Sequence, residues 1–252
     1  MTGKTLKALF LLLCSAGALL TAAGIGVQLM ASREGYTGTV ISGSFEFEEP
    51  RELVAVTVSM PIIVQYGDTD KVKVSYTGGL PLIFSEEKGV LRITQDDSFS
   101  MNIFSLRAYG SRAEITLPHK IYKRISLSSS GGYIEAYSLG ADRLDVSTKG
   151  GDIRLYNIDE RTSIRTESGR INAVFSSLGS DMTINAGSGD VELELPEDIP
   201  FNLEFLTESG SFSSSRFKEK YYNKFGDTAI LDGDIKNLLT VNTTSGDLLI
   251  YD

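Results

Sequence analysis

The chain has 252 residues, a formal net charge of −9 at pH 7 and a single cysteine, Cys14. This acidic balance argues against nucleic-acid binding, because proteins that bind nucleic acid use a basic surface to neutralise phosphates. With one cysteine there is no internal disulfide, and no cysteine-based metal site is expected after the N-terminal segment. The remaining length suffices for one large domain that is stable through packing alone.

The N-terminal segment predicts a membrane anchor. Residues 8–32 run for 25 positions without a charged side chain, and a spanning helix needs only about 20. Lys4 and Lys7 precede the run, so the positive-inside rule places residues 1–7 in the cytoplasm and residues 33–252 outside the cell membrane. Two alternatives stay open, namely a signal peptide cleaved after Ala23 and a lipoprotein signal that uses Cys14.

A glycine-rich unit recurs through the second half of the chain. Its second glycine anchors an alignment, and the anchors are Gly132, Gly151, Gly169, Gly189, Gly210 and Gly246. Successive anchors are 19, 18, 20, 21 and 36 residues apart. Mostly apolar residues occur two and four positions after each anchor and five and seven positions before it, which is the alternation of a strand with one buried face. Each unit therefore predicts a strand, a glycine turn, a second strand and a linker.

A unit of about 20 residues cannot bury its own apolar face, so successive units are expected to stack about 4.8 Å apart around one core. The predicted fold is all-β, a β-solenoid (β-helix) with rungs of roughly 18–21 residues; a β-sandwich with glycine-rich hairpins is the alternative. The anchors are interpreted as structural, because the bend needs either a positive φ or a close backbone approach. Residues 37–120 are less regular and predict degenerate rungs of the same solenoid.

The long interval before the last anchor predicts an insertion at about residues 213–234. It holds the candidate interaction loop, a basic and aromatic set in an acidic region: Arg216, Phe217, Lys218, Lys220, Tyr221, Tyr222, Lys224 and Phe225. Lysines and aromatic rings together suit an anionic wall polymer, lipid head groups or a partner protein. The alternative is a solvated loop that covers the edge of the solenoid and prevents strand pairing there.

The order of several short motifs resembles a known bacterial family. These motifs are Lys71-Val72-Lys73-Val74, Gly89-Val90-Leu91-Arg92-Ile93, Ile115-Thr116-Leu117-Pro118 and the repeated Ser-Gly-Asp-Ile-like units. Over residues 37–252 they resemble a domain family of unknown function that carries the name "putative adhesin". The resemblance implies a β-solenoid, frequent membrane anchoring and a place in Gram-positive envelope-stress operons. It implies no catalytic residue.

The residues that could carry chemistry favour a protein that is not an enzyme and needs no metal or cofactor. His119 is the only histidine, and no nucleophile motif accompanies it, so a surface position is favoured over a catalytic one. Three aspartates share the position after an anchor glycine: Asp152, Asp190 and Asp247. A turn role is favoured for them over Ca²⁺ binding or glycan hydrolysis.

Tyr133, Tyr137 and Tyr156 could form a sugar-stacking face, although half-buried strand tyrosines are the simpler interpretation. The expected function is a membrane-anchored extracytoplasmic module that binds or scaffolds components of the bacterial cell envelope. Its expected partners are the membrane and an envelope polymer or envelope protein. The alternatives are a β-helix enzyme that acts on envelope polysaccharide and a self-assembling structural solenoid.

Overall fold

The computed structural model describes residues 41–48, 50–96, 111–158, 161–196, 201–215, 222–223, 226–227 and 237–251. The predicted membrane segment at residues 8–32 lies outside these ranges. All the regular secondary structure within these ranges is β-strand, so the all-β prediction is confirmed there. In the same ranges no helix has the length and apolar character needed to cross a membrane.

The described strands are short and follow one another closely along the chain. In chain order they are β1 (Ile41–Phe47), β2 (Glu52–Thr57), β3 (Ile62–Tyr66), β4 (Val72–Gly78), β5 (Leu82–Glu87), β6 (Val90–Gln95), β7 (Arg112–Leu117), β8 (Arg124–Ser129), β9 (Ile134–Tyr137), β10 (Leu144–Thr148), β11 (Ile153–Ile158), β12 (Thr162–Thr166), β13 (Ile171–Phe175), β14 (Met182–Ala186), β15 (Val191–Glu194), β16 (Asn202–Thr207), β17 (Phe212–Ser214), β18 (Tyr222–Asn223), β19 (Gly226–Asp227), β20 (Leu238–Thr243) and β21 (Leu248–Tyr251).

These strands form two large sheets and one small hairpin. Sheet I has ten strands in the order β1-β4-β7-β3-β9-β11-β13-β15-β21-β17. Sheet II has nine strands in the order β16-β20-β14-β12-β10-β8-β2-β6-β5, and β18 pairs with β19 alone. A rung consists of one strand from each sheet, and from β8 onward the two strands are joined by the predicted glycine turn. Adjacent rungs pair in parallel and in register, as Leu144 does with Ile125 and Thr162.

The core lies between the two sheets, where the alternating apolar columns meet. The column two positions after the anchors is fully buried, with Ile134, Ile153, Val191 and Leu248 at 0% exposure. The intervening residues of each strand point outward and are half-buried or exposed. Because each strand gives one row of side chains to the core, the rungs share a continuous interior, as a stacked repeat requires.

Close backbone approach, and not a positive φ, explains the repeated anchor glycine. A Cβ atom on Gly151 would fall on the carbonyl oxygen of Gly132, and a Cβ atom on Gly169 would fall on that of Gly151. Gly189, Gly210 and Gly246 meet a neighbouring anchor in the same way, and a Cβ atom on Gly132 would fall on the backbone of Met60. Among the glycines that the structure describes, only Gly89 has a positive φ. The turns therefore stack so tightly that no side chain fits between them.

At the N-terminal end the rungs do not follow chain order. The rung β2–β3 lies between β6–β7 and β8–β9, because β2 pairs with both β6 and β8 while β3 pairs with both β7 and β9. Residues 118–123, which we call the crossing segment, carry the chain from β7 past the β2–β3 rung to β8. The prediction of successive stacking is wrong at this end.

The C-terminal end is interleaved in the same way. The rung β20–β21 lies between β14–β15 and β16–β17, and each of its strands pairs on both sides. The chain therefore leaves a gap of one rung when it forms β16–β17 and fills that gap with its last two strands. Successive stacking is wrong here as well, because every rung offers the same apolar columns to either neighbour.

Three N-terminal strands are not rungs of the repeat. Strand β1 pairs antiparallel with β4, β4 pairs antiparallel with β7, and β5 pairs antiparallel with β6. Aromatic rings fill the space between the sheets at this end: the Phe84 ring centre lies 4.6 Å from that of Phe45 and 5.1 Å from that of Phe47. The prediction of degenerate rungs is thus correct for β2–β3 and β6–β7 and wrong for these three strands.

Candidate binding site

Most of the predicted interaction loop lies outside the described residues. These are Arg216, Phe217, Lys218, Lys220, Tyr221, Lys224 and Phe225. Tyr222 belongs to β18, which pairs antiparallel with β19, and the backbone of β19 lies close to β16 at the end of sheet II. A binding role for this loop therefore stays a prediction.

The aspartates that follow the anchor glycines are tied to the next rung. Asp152 Oδ1 accepts the backbone N–H of Arg170 at 3.0 Å, and Asp190 Oδ1 accepts that of Asp247 at 3.0 Å. Asp247 Oδ1 accepts the backbone N–H of Ser211 at 2.7 Å and its hydroxyl at 2.9 Å. These two bonds, the backbone one first, lower the pKa of Asp247 below its ordinary 3.8. The carboxylates thus serve as acceptors that link neighbouring turns.

A column of buried hydroxyls runs beside the anchor glycines. Thr148 Oγ1 donates to the carbonyl oxygen of Gly151 at 2.6 Å, and the N–H of Gly169 donates to Thr166 Oγ1 at 2.9 Å. The two threonine oxygens lie 3.0 Å apart. Because the single hydroxyl proton of Thr148 is directed to Gly151, the bond between the two hydroxyls is formed with the proton of Thr166. These hydroxyls therefore form hydrogen bonds both within a turn and between neighbouring turns.

Two tyrosines stack on the outer face of sheet I. The ring centres of Tyr137 and Tyr156 lie 4.9 Å apart, with an angle of 9° between the ring planes. The Tyr137 hydroxyl donates to Glu135 Oε2 at 3.2 Å, and Arg154 Nη1 donates to Glu135 Oε1 at 2.7 Å. Burial, followed by the Glu135 charge, raises the pKa of Tyr137. The pair is a fixed, half-buried feature beside the corner where these strands end.

A hollow of about 420 Å³ opens at that corner. Its lining comes from the end of β3, the crossing segment, the linker after β9 and the end of β11: Tyr66, His119, Lys120, Ile121, Ser138, Leu139, Gly140 and Asn157. The hollow therefore forms where the interleaved N-terminal rungs meet the sequential rungs of the repeat. In the part of the chain that the structure describes, no group of three or more His, Cys, Asp or Glu side chains is placed to hold a metal ion.

Tyr66 holds two sides of the hollow together. Its hydroxyl oxygen accepts the backbone N–H of Gly140 at 2.7 Å and donates to the carbonyl oxygen of Lys120. Its ring centre lies 4.7 Å from the ring centre of His119. One side chain thus fixes the crossing segment against the linker after β9, and the exposed His119 lies at a defined place on the rim. The predicted surface position of His119 agrees with this exposure.

Two residues of the hollow have a left-handed backbone. Ser138 has φ 49° and Asn157 has φ 55°, and Asn157 Nδ2 donates to Ser138 Oγ at 3.2 Å across neighbouring rungs. Among the described residues that are not glycine, only Lys88 shares such a φ, in the tight turn between β5 and β6. Non-glycine residues adopt this conformation at an energetic cost, and such positions cluster at functional sites.

Sequence analysis had singled out only His119 among these residues. Lys120, Ile121, Ser138 and Asn157 were missed. A usable signal existed, because a tyrosine followed by a polar residue stands five and six positions after two successive anchors, Gly132 and Gly151. The other lining residues come from distant parts of the chain, and only the order of the rungs brings them together.

Part of the repeat matches a known protein family. Residues 138–251 match the family model described as Toastrack DUF4097. The match covers less than half of the chain. The match confirms the family resemblance drawn from the short motifs. The matched segment begins at Ser138, so it contains the Ser138 and Asn157 side of the hollow and not the crossing segment. No curated protein matches the chain.

Several solved structures of bacterial proteins are similar to parts of the chain. A putative cell adhesion protein from Clostridium sporogenes is 17% identical, with a TM-score of 0.52 over 83% of this chain and 98% of its own. A putative adhesin from Bacteroides fragilis is 14% identical, with a TM-score of 0.39 over 84% of this chain and 96% of its own. A putative lipid binding protein from Parabacteroides distasonis is 15% identical, with a TM-score of 0.35 over 85% of this chain and 98% of its own. The first of these shares the fold of the chain, and at this identity the likeness extends no further.

Proposed function

We propose that this chain is a non-enzymatic binding module of the bacterial cell envelope, anchored in the membrane by residues 8–32 with its β-stack outside the cytoplasm. The observation that carries the binding role is the fixed register of the outward side chains. In sheet I, Glu135, Arg154 and Asn172 lie directly opposite one another on three neighbouring strands. Such a face repeats every 4.8 Å or so, which suits an extended polymer or a long protein contact.

The hydrogen bonds between rungs support this proposal, because they make the surface rigid before any partner arrives. The hydroxyl column and the aspartates bond one turn to the next, and a preorganised surface loses little conformational entropy on binding. The anchor rests on the charge-free run at residues 8–32 and on the two lysines before it. The name of the Clostridium protein, which refers to cell adhesion, is in keeping with a binding role.

Two observations count against the alternatives. A hydrolase built on the aspartate column would need free carboxylates, but Asp152, Asp190 and Asp247 all accept backbone N–H bonds from a neighbouring turn or strand. A polymer built through the last strand of the chain would need that strand at an edge, but β21 pairs with both β15 and β17. The binding module is therefore the function that the geometry favours.

The binding role is tested by capture from purified bacterial envelopes. The bait is the full chain with a C-terminal tag in an uncharged polyoxyethylene detergent, beside a variant in which residues 216–225 are replaced by Gly and Ser. Retained material is analysed for sugars, phosphate, lipid and protein. We expect one envelope component to be enriched over beads that carry an unrelated membrane-anchored protein. Enrichment lost with residues 216–225 would assign it to the predicted loop, and no enrichment for either bait would refute the function.

The membrane topology is tested separately by protease accessibility. Intact cells without an outer membrane barrier are treated with protease, and the C-terminal tag is followed by blotting. We expect the tag to be lost from intact cells while a cytoplasmic marker survives, because residues 33–252 lie outside in this proposal. A tag that survives in intact cells and is lost only after lysis would contradict it.

A further inference from the structure

We propose that the outer face of sheet I binds an extended, uncharged glycan chain at a site centred on Tyr137 and Tyr156. This inference rests on the proposed function and deepens it, because it names a site and a class of ligand for the binding module. It is carried by three tyrosine rings and one ion pair on two neighbouring rungs, which we call the tyrosine face: Tyr133, Glu135, Tyr137, Arg154 and Tyr156.

The rings of Tyr137 and Tyr156 supply the apolar contact surface. The two residues lie opposite one another in β9 and β11, which pair in parallel, and their ring centres are 4.9 Å apart. Both residues are half-buried, and offset stacking leaves part of each ring face uncovered. The C–H groups of a sugar ring pack against such a surface, whereas the hydroxyls of the sugar need polar partners nearby.

Those polar partners come from Glu135 and Arg154, which are held beside the rings. Arg154 Nη1 donates to Glu135 Oε1 at 2.7 Å, and the Tyr137 hydroxyl donates to Glu135 Oε2 at 3.2 Å. The Arg154 guanidinium also lies 5.5 Å from the ring centre of Tyr133. A guanidinium has more N–H donors, and a carboxylate more acceptor sites, than these contacts use. Because a sugar hydroxyl both donates and accepts, a paired donor and acceptor suit it better than a lone charge.

The charge of the outer face of sheet I argues against an anionic ligand. The positions one, three and five after the six anchor glycines are the outward positions of this sheet and of its turns. Among them are two arginines, Arg154 and Arg170, and six carboxylates: Glu135, Asp152, Asp190, Glu192, Glu194 and Asp247. Both arginines form salt bridges with carboxylates of this set. A polymer that carries phosphates or carboxylates would therefore be repelled, and an uncharged glycan would not.

The stacking of the rungs suits a chain better than a single sugar. Asn172 lies opposite Arg154 on the next rung, and Asn172 Nδ2 donates to Glu192 Oε2 on the rung after that, at 3.2 Å. Polar side chains held in place thus continue from Glu135 along the direction in which the rungs stack. Rungs are about 4.8 Å apart, which is close to the length of one sugar ring. Successive sugars of an extended chain would therefore meet successive rungs.

The test is a calorimetric titration of the full chain in a polyoxyethylene detergent, which contains no sugar. Cellohexaose and chitohexaose are the extended, uncharged probes. Four sugars are titrated for comparison: glucose, the curved maltohexaose, a cationic chitosan hexamer and an anionic hexamer of galacturonic acid. We expect saturable binding of at least one extended probe, about tenfold or more tighter than that of each comparison sugar. A smaller difference from any of the four would overturn the ligand class, and a lack of saturable binding would overturn the proposal altogether.

Two matched double variants locate the binding on the two rings. Tyr137→Ala with Tyr156→Ala removes both rings and should weaken the binding of the extended probe about tenfold or more. Tyr137→Phe with Tyr156→Phe keeps both rings and should retain most of the affinity. Arg165→Ala removes an exposed side chain from the outer face of sheet II and should leave the affinity unchanged. Unchanged affinity in the double alanine variant, or an equal loss in both double variants, would overturn the site.

A measurement on the wild-type chain does not depend on how the variants fold. Hydroxyl-radical footprinting with mass spectrometry compares the oxidation of single residues with and without the extended probe. We expect saturating probe to protect Tyr137 and Tyr156, while Val56, which is exposed on the outer face of sheet II, is oxidised to the same extent as before. Binding without protection of either tyrosine would place the ligand elsewhere and overturn the site.

These results remain distinct from those of the envelope capture. If the wild-type chain enriches an envelope component and the double alanine variant enriches it equally well, the tyrosine face is not the site while the binding module stands. If the wild-type chain enriches nothing yet binds an extended probe, the tyrosine face is supported and the envelope function is refuted.

Discussion

The middle of the stack and its two ends are built from the same strands but in different order. From β8 to β15 the rungs follow the chain, and each new rung pairs with the one before it. At either end the chain skips one position in the stack. The rung β2–β3 lies between β6–β7 and β8–β9, and the rung β20–β21 lies between β14–β15 and β16–β17. A repeat of apolar columns therefore determines what a rung looks like, and the connections determine where it stacks.

The interleaved ends also differ in what they do to the surface. Two rungs that are sequential in the chain are connected by a short linker, such as residues 138–143 between β9 and β10. An interleaved rung needs a segment that passes over another rung, as the crossing segment does between β7 and β8. At the N-terminal end this segment brings His119 and Ile121 against Ser138 and Asn157. The hollow is thus a consequence of the exchange of rungs.

Removal of the last rung should have the largest effect and would show how the ends differ from the middle. Deletion of residues 237–252 takes away the strands that join β14–β15 to β16–β17. We expect residues 201–215 to become sensitive to limited proteolysis at native conditions, because the described strands that pair with them in parallel are lost. Protection of residues 201–215 equal to that in the full chain would contradict the interleaved order.

A glycine substitution in the middle should have the next largest effect. Gly151→Ala places a Cβ atom on the carbonyl oxygen of Gly132, and because two backbones must move apart we expect a loss of at least about 3 kcal/mol of unfolding free energy. Gly150→Ala is the matched control in the same turn, since its Cβ atom would meet nothing closer than 3.8 Å. That change should alter stability by about 0.5 kcal/mol or less. Urea denaturation followed by circular dichroism measures both, and equal costs would contradict the close approach of the turns.

A hydroxyl substitution tests the bonds between rungs of the middle. Thr166→Val removes the acceptor of the Gly169 N–H and the partner of Thr148 while it keeps the shape of the side chain. A buried N–H without a partner should lower the unfolding free energy by about 1–3 kcal/mol. Thr166→Ser retains the hydroxyl and should lose less than Thr166→Val in the same denaturation experiment. A greater loss for Thr166→Ser would show that packing, and not hydrogen bonding, dominates this column.

The smallest effect is expected at the C-terminal interleaved end, from Asp247. Its folded-state pKa lies below the ordinary 3.8 because Ser211 donates two hydrogen bonds to it. The carboxylate therefore stabilises the fold above that pH, and this contribution is lost as pH falls through the folded-state pKa. Asp247→Asn should reduce the loss of the melting temperature between pH 7 and pH 3 or so. A pH dependence identical to that of the wild-type chain would contradict a role for this pair.

The sequence predicted local structure far better than it predicted the order of rungs. The buried columns through Ile134 and Ile153 and the anchor glycines follow from alternation and spacing. The order could not follow, because an apolar column residue such as Val241 pairs both with Ile184 on one side and with Phe205 on the other. The hollow could not be predicted for a related reason. Its lining residues are distant from one another in the chain, and a positive φ is not expected from a serine such as Ser138. The tyrosine and polar pair after two anchors was the one local sign.

The order of the rungs at the C-terminal end is tested most directly by disulfide trapping in a Cys14→Ser background. Asn185 and Asn242 are direct neighbours in parallel strands, with Asn242 Nδ2 donating to Asn185 Oδ1 at 3.0 Å, so cysteines at these two positions should bridge readily. Cysteines at 185 and 206 are separated by the β20 strand, roughly 9–10 Å between Cα atoms, which is too far for a disulfide. We expect a bridge between 185 and 242 and none between 185 and 206. A bridge between 185 and 206 alone would show that the rungs follow the chain after all.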